Sequence, residues 1–316
     1  MEHFPLILSA LAPVFLIMAI GFVVRRRGIL AAAADNSLLR LVVYLFYPAL
    51  IFKFVLGNPA LETPGNLLVP PLVGFLTVVI GFGVAYLAAP LFRISKPVPR
   101  RTFAFGTGLY NYGYIPIPLI AMLWDSREIT GILLVHNVGV EIAFWTAGII
   151  LVSGTFDRRA WRRILNPPVI ALLVALTANY LGLARILPAF AFTTIDMVAA
   201  CAIPVGVLLA GATIADLFGN ESLRRGWNIF AGSIALRLGM LPLLFILTAV
   251  LLPFSPELKK IIIIQAAMPA GIFPIVIAAH YGGDPRVAFR VVLGTTVVAL
   301  ITIPFWISLG LQLSGL

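Results

Sequence analysis

Residues 108–118, Gly-Leu-Tyr-Asn-Tyr-Gly-Tyr-Ile-Pro-Ile-Pro, set an asparagine, three tyrosines, two glycines and two prolines inside an otherwise apolar stretch. Asn111 offers two donors and one acceptor without a permanent charge, which costs less to bury than a lysine and suits a carboxylate. Its other reading is as a cap for the carbonyls freed by Pro116. Tyr110, Tyr112 and Tyr114 offer hydroxyls or an aromatic wall, and packing is the simpler role for most of them. A second interruption, Met268-Pro269-Ala270-Gly271-Ile272-Phe273-Pro274, lies far downstream, with Gln265 one turn before it. Pro116 and Pro269 remove helix donors, and Gly271 lets backbone approach a ligand. His136, Asn137 and Glu141 form a third group, in which Asn137 and Glu141 are four apart and share a helical face. A carboxylate deep in a membrane is a functional candidate. Glu141 could take a proton or sodium ion, or pair with Arg237, the other deep charge, which could instead attract an anion. A satisfied core position is the simpler reading of His136.

These residues need elements to hold them. The chain is 61% hydrophobic and 11% charged, with mean hydropathy +1.07. That composition belongs to a polytopic membrane protein. Apolar spans are predicted at about 4–24, 38–57, 67–89, 102–124, 130–153, 167–186, 193–217, 227–252, 259–281 and 288–312. Lipid cannot satisfy free backbone N–H and C=O groups, so the fourth and ninth spans can be broken only where protein or a wet cavity surrounds them. Paired interruptions in two halves of a chain point to a carrier's binding site.

The charge of +10 follows this layout and calls for no nucleic-acid partner. Sixteen of the 22 Lys and Arg residues fall at alternate gaps, five at the others, and Arg237 lies within a span. The positive-inside rule then sets both termini outside the cytoplasm. Met1-Glu2-His3 has no basic leader and Arg25-Arg26-Arg27 follows the first apolar run, so that run reads as a first span, not a signal peptide. Asp196 and Asp216 read as solvated positions near the ends of the seventh span, Lys53 as a snorkelling side chain, and Cys201 as a small buried hydrophobe.

One offset of 156 residues carries Pro48 onto Pro204, Pro118 onto Pro274 and Val135 onto Val291. Five spans per half make the second half inverted relative to the first. The expected fold is all-α, ten transmembrane helices in two inverted five-helix repeats with broken crossing helices four and nine. The repeats cover 1–153 and 167–316, and 154–166 is a cytoplasmic linker whose Arg158–Arg163 run anchors at headgroups.

The stretches Tyr44-Leu45-Phe46-Tyr47-Pro48, Asn111 to Pro118, Asn166-Pro167-Pro168, Ala202-Ile203-Pro204, Gln265 to Ala270 and Thr295-Thr296 resemble those of the auxin efflux carrier family. The resemblance covers nearly the whole chain. It implies a scaffold of helices 1, 2, 6 and 7, a moving transport domain of helices 3–5 and 8–10, a homodimer, and export of small organic anions, either indole-3-acetic acid or dicarboxylates. The Pro116-x-Pro118 break is stiffer than the family's frequent glycine there. No long loop separates the halves, which favours a compact prokaryotic-type carrier over an auxin carrier.

The expected function is therefore secondary transport of a small carboxylate, by alternating access, in the cell membrane. Asn111, Tyr110, Tyr112, Pro116, Gln265, Pro269 and Gly271 are the candidate substrate contacts. No cofactor or metal is expected, and H+ or Na+ coupling stays open. The alternatives are a sodium-coupled importer of the bile-acid symporter type, which needs polar cages that the apolar second break does not supply, and a ligand-binding sensor or channel. His-Glu-x-x-His, Gly-x-Ser-x-Gly and phosphate-loop patterns are absent, so an enzyme is not expected.

Overall fold

In the computed structural model, residues 4–155, 163–218 and 226–316 are described. Most of the expected linker anchor, from Arg158 through Arg162, lies outside them, as do Arg224 and Arg225. Among the described residues the chain is helical, with one isolated antiparallel β-bridge. Seven helices among the described residues are long and apolar enough to cross a membrane: α1 (Phe4–Arg26), α2 (Ala32–Val55), α3 (Pro64–Phe92), α6 (Arg127–Ser153), α8 (Ala189–Phe218), α9 (Trp227–Leu251) and α12 (Pro285–Ser314). The shorter apolar α7 (Pro167–Tyr180) occupies the sixth expected segment. The fourth and ninth are each divided, into α4 (Pro97–Gly108) with α5 (Pro116–Trp124), and α10 (Pro256–Ala267) with α11 (Phe273–His280).

Proline explains many of the boundaries. It occupies the first or second position of α3, α4, α5, α7, α10, α11 and α12, where its missing N–H would have no intrahelical partner anyway. This is why α4 starts at Pro97, five residues before the expected boundary, with Arg100 and Arg101 inside the helix. Two wide π-turns, Val42–Phe46 in α2 and Leu236–Met240 in α9, come immediately before Tyr47-Pro48 and Leu241-Pro242. A proline ring clashes with the carbonyl four residues back, and a widened turn relieves that clash.

Helix α1 packs along the second part of α8, and α2 lies against α7 and the first part of α8. In a second group α3 packs on α4 and α6, and in a third α12 contacts α9, α10 and α11. Contacts of α12 with α4 and of α10 with α6 join the second and third groups. Leu16, Leu72, Leu76, Leu173 and Ile301 are exposed on the outer surface, as expected of a protein whose solvent is lipid.

One expectation about a single side chain changes. Cys201, read as a buried hydrophobe, is exposed where α8 is locally distorted. Hydropathy cannot separate a lipid-facing position from a core one. Asp196, Asp216 and Lys53 stay partly exposed, as read, and they also pair: Lys53 Nζ lies 3.3 Å from Asp196 and Arg25 Nε 3.5 Å from Asp216. Arg25 also pairs with Asp35, which ties the end of α1 to the start of α2 and to α8.

Candidate functional site at the crossing of two broken helices

The breaks meet each other. Asn111 N–H donates to the Pro269 carbonyl at 2.8 Å, and Gly271 N–H donates to the Leu109 carbonyl at 2.9 Å. This is the antiparallel bridge between Tyr110 and Ala270. Groups that prolines and glycines free from the helical ladder are thus satisfied across the crossing, as burial away from water demands. Thr295 Oγ1 of α12 accepts from Ala270 N–H at 3.2 Å.

Side chains brace the first break from below. Asn137 Nδ2 donates to the Tyr112 carbonyl at 2.8 Å. Gln265 Nε2 reaches the same carbonyl at 3.3 Å and Asn137 Oδ1 at 3.1 Å. Asn137 and Gln265 are therefore fasteners between α6, α10 and the broken segment, while the Gln265 Oε1 atom is buried without a hydrogen bond among the described residues. His136 is buried, with Nδ1 3.5 Å from Asn137 Oδ1 and Nε2 unpartnered among the described residues, so it is less satisfied than expected.

Glu141 accepts three side-chain hydrogen bonds. Tyr112 Oη donates to Oε1 at 2.6 Å, and Trp145 Nε1 and Asn166 Nδ2 each donate to Oε2 at 2.9 Å. Arg237 is not among its partners, so the ion pair, one of the readings left open by the sequence, is not formed. The Arg237 guanidinium turns the other way, donating from Nη2 to the Ala266 carbonyl at 2.9 Å and lying 5.3 Å from the Tyr110 ring centre. It is fully buried, and the Tyr110 hydroxyl is itself held 3.0 Å from Thr77 Oγ1. The last turn of α10 carries the partial negative charge of a helix end, which favours a cation there, although Arg237 Nε and Nη1 are buried without a hydrogen bond among the described residues.

A small cavity of about 70 Å³, partly open to the exterior, adjoins the crossing. Tyr110, Asn111, Tyr112, Glu141 and Gly271 line it, together with Tyr47 and Val43 of α2, Pro168 of α7, and Ile272 and Phe273 at the second break. Pro116, Gln265 and Pro269, also candidates from the sequence, do not line it. Asn111 additionally borders a smaller space against α1, α8 and α12, where Tyr114 lies so close to Gly206 that a Cβ there would fall 2.1 Å from its ring.

The two half-helix starts differ. Asn111 Oδ1 accepts weakly from Gly113 and Ile115 N–H, both at 3.4 Å, ahead of α5. Asn111 thus caps donors, where the sequence suggested it might cap carbonyls, and its Nδ2 is left without a partner among the described residues. At α11 no side chain caps the first turn, and the N–H groups of Ile272 and Phe273 take no hydrogen bond among the described residues. Uncapped N–H groups and half a positive charge beside an amide form an arrangement that can hold an anion.

Sequence reasoning missed Tyr47, Asn166, Trp145, Thr77 and Thr295 as site-building residues. Tyr47, Asn166 and Thr295 fell within family-like stretches, which was a usable signal. Trp145 stands four residues after Glu141 on the same helical face, which was another.

Comparison with known proteins fits this architecture. The sequence pattern of a family described as "membrane transport protein" matches residues 6–158 and residues 155–307. An "uncharacterized transporter" of Methanothermobacter thermautotrophicus is 22% identical over 298 residues, covering 93% of this chain and 95% of the relative. With matches across both halves and nearly its full length, the chain belongs to the membrane transport protein family of auxin efflux carrier-like transporters.

Proposed function

We propose that this membrane transporter is a secondary carrier for a small organic anion, and that the crossing is its site. The cavity shared by the uncapped α11 start and the Asn111 amide carries this reading. The carboxylate sits against the N–H groups of Ile272 and Phe273 and the Asn111 Nδ2, while the tyrosines and Phe273 enclose the body of the molecule. Arg237 adds positive potential from behind Tyr110.

The lining favours a monocarboxylate with an apolar body over a dicarboxylate. Among the described residues no lysine or arginine lines the cavity, and the carboxylate in its wall, Glu141, disfavours a second carboxylate on the ligand. A sodium symporter is less well supported, because both Glu141 oxygens already accept donors from the protein.

The ten helical segments form two inverted repeats in this reading, with both termini outside the cytoplasm. Helices α1, α2, α7 and α8 are the scaffold, and α3–α6 with α9–α12 are the transport domain. The bridge between the breaks supports joint movement of the site-bearing helices. Pro168, next to the basic end of the linker, is part of the cavity wall, which supports a state open toward the cytoplasm; export rests on the family resemblance. A homodimer follows from the family resemblance.

Electrical recording from proteoliposomes challenged with mono- and dicarboxylates, with and without sodium and pH gradients, tests this. Substrate-evoked charge movement with apolar-bodied monocarboxylates is expected. A panel that evokes neither charge movement nor tracer flux rejects the carrier reading.

A further inference from the structure

Asn166 uses both ends of its amide. Oδ1 accepts from Val169 N–H at 3.0 Å and caps α7, while Nδ2 donates to Glu141 Oε2 at 2.9 Å. The cap fixes the amide orientation, since a flip would set Nδ2 against an N–H and Oδ1 against a carboxylate. Glu141 is equally committed, through Trp145 on the same oxygen and Tyr112 on the other. Just upstream, Arg163 lies 5.9 Å from the Trp145 ring centre and 5.0 Å from that of Tyr281. The segment entering α7 therefore leans on α6 and on the end of α11 at two separate points.

We propose that Asn166 is a positioning residue for transport: its bond to Glu141 latches the start of α7 to the transport domain while the cavity faces that side. The proposal rests on the division into scaffold and transport domain given above. Tyr112, Glu141 and Pro168 all line the cavity, so the latch spans the two walls that must separate. A hydrogen bond fails beyond about 3.5 Å, so a small fraction of a roughly 30 Å bilayer crossing breaks it. An interaction made in one state only shifts the balance between states, and a charge-assisted bond is strong enough to do so about tenfold.

Asn166→Asp tests this, because aspartate caps a helix well yet replaces the donor with a second carboxylate facing Glu141. Asn166→Ser also caps but falls short of Glu141. Each is made in a Cys201→Ser background with Val43→Cys as a reporter in the cavity. The labelling rate with a membrane-impermeant maleimide, applied from the side of the α7 start, is then measured in proteoliposomes. The rate is expected to fall about tenfold for Asn166→Asp and severalfold for Asn166→Ser, with unchanged gel-filtration profiles. Equal rates in the parent and Asn166→Asp proteins overturn the latch, and if that variant does not fold, equal rates for Asn166→Ser do so. Carboxylate flux in the same vesicles keeps the two readings apart. A parent that transports but labels independently of Asn166 rejects the latch alone. A parent that does not transport but labels in a latch-dependent way rejects the carrier alone.

Discussion

The two breaks are partners in one bridge but are built from different materials. The first, residues 109–115, joins α4 to α5 through seven residues, including three tyrosines and Asn111. The second, residues 268–272, joins α10 to α11 through five residues whose side chains are all apolar or absent. The first is held by side chains from elsewhere: Asn137 and Gln265 on the Tyr112 carbonyl, Glu141 on its hydroxyl, and Thr77 on Tyr110. The second contributes main chain: the Pro269 carbonyl, the Gly271 N–H and the uncapped start of α11. In the proposed site, the first break would carry discrimination and the second a fixed dipole.

That contrast is open to attack at three points. Asn111→Ala should have the largest effect. It removes the side-chain donor proposed for the anion, and a hydrogen bond to a charged group contributes about 1.5–3 kcal/mol, so uptake should fall roughly 10- to 100-fold. The protein should still elute as a folded species, and parental flux would remove Asn111 from the site. Glu141→Gln comes next. If the carboxylate braces Tyr112, Trp145 and Asn166, flux should drop about tenfold, because an amide offers one acceptor where three donors converge. Its dependence on sodium and proton gradients should match the parent's. Loss of an ion dependence present in the parent would make Glu141 the coupling site instead. Gly271→Ala is the mildest and probes the second break as pure backbone. Its added Cβ would lie 3.2 Å from the Tyr110 carbonyl oxygen, forcing a small shift of the bridge. A loss of about 1 kcal/mol in thermal unfolding is expected, the low end for overpacking.

Much of this architecture was legible because lipid enforces it. A segment with Asn111, Pro116 and Pro118 in an apolar run cannot remain an unbroken helix facing hydrocarbon, so its interruption could be read from composition. The partners could not. Glu141 and Asn166 are 25 residues apart and on separate helices, and nothing in local spacing says that a helix cap also faces a carboxylate. Thr295 and Ala270 raise the same difficulty. Arg237 misled for a related reason. Two opposite charges within the membrane suggest a pair, yet Arg237 meets an aromatic face and one helix-end carbonyl, with Nε and Nη1 unpartnered among the described residues, a placement that side-chain type does not announce. Cys201 shows the limit of hydropathy itself, because the lipid-facing surface and the core are equally apolar.

The bridge between Tyr110 and Ala270 has a consequence for how such a carrier could be retooled. Its two hydrogen bonds use only main-chain atoms, so the mechanical joint survives any change of side chain that leaves the backbone path alone. In the proposed site, recognition and machinery would thereby be separable. If the proposed site is right, Asn111 or Phe273 could be exchanged to admit a different cargo while the bridge stays assembled.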